Sequence, residues 1–231
     1  MKIDNGRARL RKVSRATPPG APVRFLSDGL AIRALQLIVF AISVFIASCV
    51  APDTQHHVII SAREQKLAVL DRDNLMAIYP ISTSKFGLGD WPGSSCTPLG
   101  ELEIAEKIGD HAEPGTVFKD RRPTGEIVQP DSPGRDPIVT RILWLRGCER
   151  QNGNAFARTI YIHGTPEERN IGLPASYGCI RMRSSDIIGL YEIVGRGAQV
   201  TIVDAPLAAV IPGLSPAPQL AETNRAGIAI R

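Results

Sequence analysis

The chain has 231 residues, with 27 Lys and Arg against 23 Asp and Glu, a net charge of +4. Residues 1–48 hold eight of the basic and two of the acidic residues, so the remainder carries 19 against 21, a net charge of −2. The basic balance therefore belongs to the N-terminal segment, and no clustered Lys/Arg face of the kind that tracks phosphates follows it, which argues against nucleic-acid binding. By length, the part after residue 48 is a single domain able to bury its own core without metals.

The N-terminal segment sets Lys2, Arg7, Arg9, Arg11, Lys12, Arg15, Arg24 and Arg33 against only Asp4 and Asp28. Residues 34–48 are almost wholly apolar and end in Ile46-Ala-Ser-Cys49. A basic stretch before a short apolar run reads as an export signal, and the run is marginal in length for a membrane span. Ile-Ala-Ser before Cys49 resembles the bacterial lipobox, in which the Cys becomes the lipid-bearing first residue of the mature protein. Residues 1–48 are thus read as a signal peptide and Cys49 as a lipidation site that tethers the chain to a membrane; an uncleaved anchor is the alternative. The basic stretch is long and holds Pro18, Pro19 and Pro22, which leaves open a translation start further downstream. Residues 49–56 form a tether. Adjacent His56 and His57 point to different sides of an extended chain and lack a third ligand, so no metal site is expected.

Short apolar runs at 58–61, 66–71 and 75–80, divided by polar turns, predict a β-meander. Residues 82–100 are rich in Gly, Ser and Pro and predict a loop, with a strand resuming over 102–108. Five prolines between 109 and 137 predict a long irregular segment, read either as a rim over a cleft or as a solvated insertion. The runs 138–145 and 158–162 are rich in β-branched and aromatic residues and predict strands. Ser184 or Ser185 is a candidate cap for a helix starting at Asp186, with Ile187, Leu190, Tyr191 and Val194 on one face and Gly195 and Gly197 ending it. A last strand is expected over 199–203, and the Pro-rich residues 205–231 as a disordered tail. The result is a mostly β domain over residues 57–204 with one helix.

His163 follows the strand-like run Thr159-Ile-Tyr-Ile162, and Cys179 lies in the small-residue turn Ser176-Tyr-Gly-Cys179, two residues before Arg181. A thiol attacks as thiolate, so a nucleophilic Cys needs a base or a positive charge nearby. His163 is that base if the loop between them folds back, which Gly172 and Pro174 suit. An imidazolium beside Cys179 would hold it below the ~8.5 of an ordinary thiol. Gly178 permits close approach of the backbone to a substrate. A buried structural Cys beside a loop His remains the bland alternative.

His163-Gly164 followed by Ser176-Tyr-Gly-Cys179-Ile-Arg181-Met resembles the signature of the L,D-transpeptidase catalytic domain, which reads His-Gly, a variable loop, then Ser-His-Gly-Cys-(Ile/Val)-Arg-(Met/Leu). Thr97-Pro-Leu-Gly100-Glu-Leu-Glu-Ile104, Ile142-Leu-Trp-Leu-Arg-Gly147 and Tyr161-Ile-His-Gly164 extend the likeness. Tyr177 departs from it, standing where the family most often has a second His.

The resemblance implies a β-sandwich with one helix behind the Cys turn, and acyl transfer through a thioester without a cofactor. Cys179 would be the nucleophile, His163 the base, and the Gly164 carbonyl the acceptor that fixes the imidazole tautomer. The N–H groups of Tyr177, Gly178 and Cys179 would face the oxyanion, and Ser176 would hold the turn. Arg181 would brace the turn or face a substrate carboxylate. The expected substrates are peptidoglycan stem peptides at the cell envelope or periplasm. A carboxypeptidase or hydrolase, a sortase-like or protein-to-wall ligase, and a non-catalytic wall-binding lipoprotein are the alternatives. Cys96 and Cys148 are left over; export would permit a disulfide between them, and the sequence decides neither that pairing nor the oligomeric state.

Overall fold

Hydrophobic burial on both faces marks the first two strands, β1 (His56–Ser61) and β2 (Lys66–Asp71). Val58, Ile60, Leu67 and Val69 enter the main core, while Ile59, Ala68 and Leu70 cover a second cluster with Leu207 and Ile211. β3 (Asn74–Pro80) follows through a two-residue turn, Arg72-Asp73, with both φ positive (49° and 74°), the geometry that suits the twist of a tight hairpin. This computed structural model describes residues 51–215, together with Arg33 and Gln36. Apart from Arg33 and Gln36, the expected signal lies outside the described residues, as do the Cys49 lipidation site and most of the expected tail. No helix among those residues is long and apolar enough to cross a membrane.

The remaining strands are β4 (Gly100–Ile108), β5 (Thr116–Lys119), β6 (Arg122–Ile127), β7 (Ile138–Gly147), β8 (Tyr161–Gly164), β9 (Ile180–Met182) and β10 (Gln199–Val203), with helix α1 (Ser184–Ile193) before β10. The protein is mostly β, with one α-helix within residues 51–215, and its sheet is mixed. β1 and β10 pair parallel, as do β8 and β9; the other pairs are antiparallel. The path β3-β2-β1-β10-β4-β7 continues through β8 to β9, with β5 and β6 attached to the start of β7. Ser82, just past β3, exchanges two 2.9 Å backbone hydrogen bonds with Arg181 of β9. The layers of the expected sandwich are thus parts of one hydrogen-bonded sheet that curls until its two ends meet. Leu102, Ile104, Leu143, Leu145, Ile162, Ile180 and Met182 fill the enclosed space with Ile187 and Leu190 of α1.

Several expectations are corrected. The Pro-rich stretch 109–137 contains the β5–β6 hairpin. Pro123 and Gly125 are tolerated because β6 is exposed along its whole length and offers an edge. β8 begins at Tyr161, three residues later than the apolar run suggests, because Thr159 holds a positive φ of 55° that breaks the extended chain. The helix begins at Ser184, not Asp186, and its first N–H is capped from a distance by Glu168 Oε1 at 2.8 Å. Cys96 and Cys148 are both free thiols. Cys96 is buried and donates to the Phe86 carbonyl at 3.2 Å, whereas Cys148 is exposed beyond β7. His56 and His57 bond to Asp53 and Thr201 respectively, as befits neighbours on opposite sides of a strand.

Candidate active site

The two central side chains come from neighbouring strands. β8 and β9 run parallel with Ile162 beside Ile180, His163 beside Arg181 and Gly164 beside Met182. Side chains alternate along a strand, so Ile162, Ile180 and Met182 go into the main core while Tyr161, His163 and Arg181 share the other face. Cys179, one residue before β9, falls level with Tyr161. Its Sγ receives the Tyr161 N–H at 3.4 Å and donates to the Thr159 carbonyl at 3.4 Å. The resting thiol therefore bonds to the backbone at the entry to β8, not to the imidazole.

His163 sits inside the sheet, between β7 and β9. It is buried, and its Nδ1 lies 2.8 Å from the Gly164 carbonyl. A carbonyl only accepts, so Nδ1 carries the proton and Nε2 presents a lone pair. Burial lowers the His163 pKa to about 4; the hydrogen bond to the Gly164 carbonyl opposes this, and Arg181 adds to it. Burial also raises the Cys179 pKa, and the Tyr161 N–H, Arg181 and Arg158 only partly offset this. At neutral pH the pair is thus a thiol and a neutral imidazole. The expectation of a thiolate below the ordinary range is reversed by desolvation, which penalises both charged forms.

Gly164 is shaped by its neighbour. β7 carries an irregularity opposite it, with two residues, Thr140 and Arg141, between the partners of Gly164 and His163. Thr140 has φ 73°, and a Cβ at Gly164 would stand 2.7 Å from the Val139 carbonyl oxygen. A bulge of this kind re-aims the side chains beside it. Thr140 is held by the Gly115 N–H and by Ser184 Oγ, at 2.9 and 2.8 Å.

The Cys turn is held from several sides. Ser176 Oγ donates to the Cys179 carbonyl at 2.5 Å and accepts the Gly178 N–H at 3.2 Å. Thr97 Oγ1 donates to the Gly178 carbonyl at 3.0 Å, which gives the Thr-Pro motif its place in the site. Gly178 has φ +122°, and the Cys96 carbonyl lies 3.3 Å from where a Cβ would stand. Because its N–H is engaged by Ser176, Gly178 is not an open oxyanion donor. The Tyr177 and Cys179 N–H groups have no hydrogen-bond partner among the described residues. The Tyr177 ring is exposed, bonds to Lys85 Nζ through its hydroxyl at 2.9 Å and packs against Phe86.

Arg181 braces the turn. Nη2 lies 2.5 Å from Asp136 Oδ2, Nη1 4.0 Å from Glu167, and Nη1 donates to the Ala175 carbonyl at 3.2 Å. With its charge met inside the protein, it is not positioned to receive a substrate carboxylate. Asp136→Ala leaves this buried guanidinium without its main partner and is expected to cost about 3 kcal/mol or more of stability. Urea unfolding measures this, and a change under about 1 kcal/mol would show the pair to be unimportant.

Sequence reasoning missed Asp136, and also the Arg158–Asp90 pair, 2.5 Å apart and buried. Arg158 further donates to the Ser94 and Cys96 carbonyls at 2.7 Å, pinning the 89–96 loop beside the Cys turn. Asp90 and Asp136 sit in Pro/Gly-rich stretches far along the chain from their partners, and only the irregularity of those stretches pointed to them.

The architecture and the site define a class: a mixed-sheet domain carrying His on one of two adjoining parallel strands and Cys immediately before the other, with a backbone carbonyl orienting the imidazole. The chain belongs to the YkuD family, the L,D-transpeptidase catalytic domain, whose pattern matches residues 55–202. It is similar to YqjB of Bacillus subtilis (strain 168), at 28% identity over 148 residues, covering 64% of this chain and 71% of that protein. It is also similar to the protein named "Probable L,D-transpeptidase YbiS" of Escherichia coli (strain K12), at 27% identity over 173 residues, covering 69% of this chain and 49% of YbiS. The chain thus spans about half the length of YbiS. Among solved structures, L,D-transpeptidase 3 from Mycobacterium tuberculosis aligns at 16% identity with a TM-score of 0.43, over 64% of this chain and 61% of that one.

Proposed function

We propose that this protein is an L,D-transpeptidase that acts on peptidoglycan stem peptides through a Cys179 thioester, in cross-linking or remodelling the cell wall. The observation that carries the proposal is the β8–β9 pair. It sets Cys179 level with Tyr161, two residues along β8 from His163, whose Nδ1–H is tied to the Gly164 carbonyl and whose Nε2 lone pair is left to accept a proton. Cys179 turns from the Thr159 carbonyl and attacks the carbonyl carbon of the diamino acid's L-centre. The thiol proton passes to Nε2, and the oxyanion is met by the Tyr177 and Cys179 N–H groups. Nε2–H then protonates the amine of the departing D-residue, leaving the thioester. An acceptor amine attacks it, gives its proton to Nε2 and releases Cys179 as thiol. Concerted proton transfer suits a pair that rests neutral.

Export and tethering through Cys49 belong to the same proposal and rest on residues outside the described ones. The test is incubation of the purified protein with tetrapeptide muropeptides and mass analysis of the products. Cross-linked or amine-exchanged products are expected. Products shortened by the terminal D-residue alone would assign a carboxypeptidase instead, and an unchanged mixture with no adduct on Cys179 would overturn the enzymatic reading.

A further inference from the structure

The motif's own cation, Arg181, is held by Asp136 and Glu167, yet a second guanidinium stands at the site without such a partner. A cavity of about 210 Å³ is lined in part by Tyr161 and Thr159, whose backbone N–H and carbonyl bond to Cys179 Sγ. Phe118, Ile138, Ile142 and Tyr161 form its apolar walls, and Thr159, whose carbonyl holds Sγ, is part of its rim. Arg121 reaches the same cavity from the β5–β6 turn, where it and Asp120 hold φ of 65° and 50°. Its guanidinium lies 4.7 Å from the Trp144 ring centroid, and Nη1 donates to the Tyr161 hydroxyl at 3.3 Å. Trp144 is itself fixed by stacking on Phe156 at 4.0 Å and by its indole N–H to the Phe156 carbonyl at 3.1 Å. Arg121 is thus positioned by an aromatic face and a phenol. Among the described residues it forms no ion pair, not even with Asp120, its neighbour in the turn and in the cavity wall.

We infer that Arg121 is a substrate-binding residue that receives a carboxylate of the acyl-donor peptide in this cavity, an inference that rests on the function proposed above. A guanidinium offers five N–H donors in a planar fork that matches a carboxylate, and one of them is used by Tyr161. The apolar walls take the peptide's hydrocarbon parts while the cation at the mouth fixes its anionic end. A stem peptide presents such an anion on the terminal D-residue, just beyond the scissile bond, and a second where the diamino acid carries a side-chain carboxylate.

The test separates the two sources. The full chain carrying Cys179→Ala, which cannot turn over, is titrated calorimetrically with three tetrapeptides. One is unmodified, one is amidated at the terminal D-residue, and one is amidated at the diamino acid side chain. Amidating the carboxylate that Arg121 receives is expected to weaken binding on the order of 10-fold. Adding Arg121→Gln should weaken the unmodified peptide equally and abolish the discrimination, whereas Arg121→Lys should restore part of it; melting temperatures confirm that each variant is folded. Equal affinities for all three peptides, or discrimination that survives Arg121→Gln, would overturn the inference. An otherwise intact protein that forms the Cys179 adduct while showing no Arg121 dependence keeps the enzymatic reading and removes this one. Absence of both adduct and binding removes both.

Discussion

Replacing Cys179 with alanine is expected to eliminate both the acyl adduct and the product, the largest effect of any single change in this protein. Of the three thiols among the described residues, Cys179 alone adjoins the imidazole strand. Cys148 is exposed, and Cys148→Ala should leave rate and stability unchanged. Cys96 is buried behind the Cys turn and bonds to the Phe86 carbonyl, so Cys96→Ala should cost on the order of 1 kcal/mol of stability while adduct formation persists. Intact-protein mass spectrometry after exposure to donor peptide reads all three. An adduct on the Cys179→Ala protein would transfer the nucleophile's role elsewhere.

His163→Ala is expected to lower turnover on the order of 10²-fold or more, by removing the base for both half-reactions, while leaving the titration of the thiol nearly where it was. The sign follows from burial. With the His163 pKa lowered to about 4, the ring is neutral throughout pH 5–8 and offers no positive charge to hold a thiolate. Cys179 is raised by its own desolvation, so alkylation by iodoacetamide should climb with pH through and beyond the ordinary thiol range of ~8.5. Turnover should not fall between pH 8 and 5 through loss of this base, because protonation of His163 begins only near its lowered pKa. A low-pH plateau of alkylation in the wild type that vanishes in His163→Ala would instead reveal a thiolate–imidazolium pair.

Much of the frame was legible from local pattern. Alternating or fully apolar runs marked β1, β2, β7 and β10, and the Ser176-Tyr-Gly-Cys179 turn read as a backbone device; its Ser176 Oγ bonds to the Cys179 carbonyl and the Gly178 N–H. What escaped was non-local or conformational. Nothing around Asp120-Arg121 announces a tight hairpin, since neither residue is Gly or Asn, and Pro123 argues against a strand unless its edge is known to be exposed. The Thr140 bulge and the Thr159 kink place β-branched residues at positive φ, which propensity disfavours and only the surrounding packing enforces. The pairing of Arg181 with Asp136 depends on the loop before β7 meeting the strand after the Cys turn. The titration of His163 and Cys179 depended on how deeply the site is buried, which spacing between residues does not encode.

The sheet's two seams also govern when the fold can close. β10 joins β1 to β4, and the Ser82–Arg181 bridge joins the far ends; each brings together segments widely separated in the chain. Such contacts form slowly, because the intervening polypeptide must be ordered before they return any stabilisation. A nascent chain that stops short of Gln199 already contains Cys179, His163 and Arg121, yet β1 and β4 would each lack a partner along an open edge prone to association. The sheet therefore closes only after residues 199–203 have been synthesised, well after Cys179 and His163 are already in the chain.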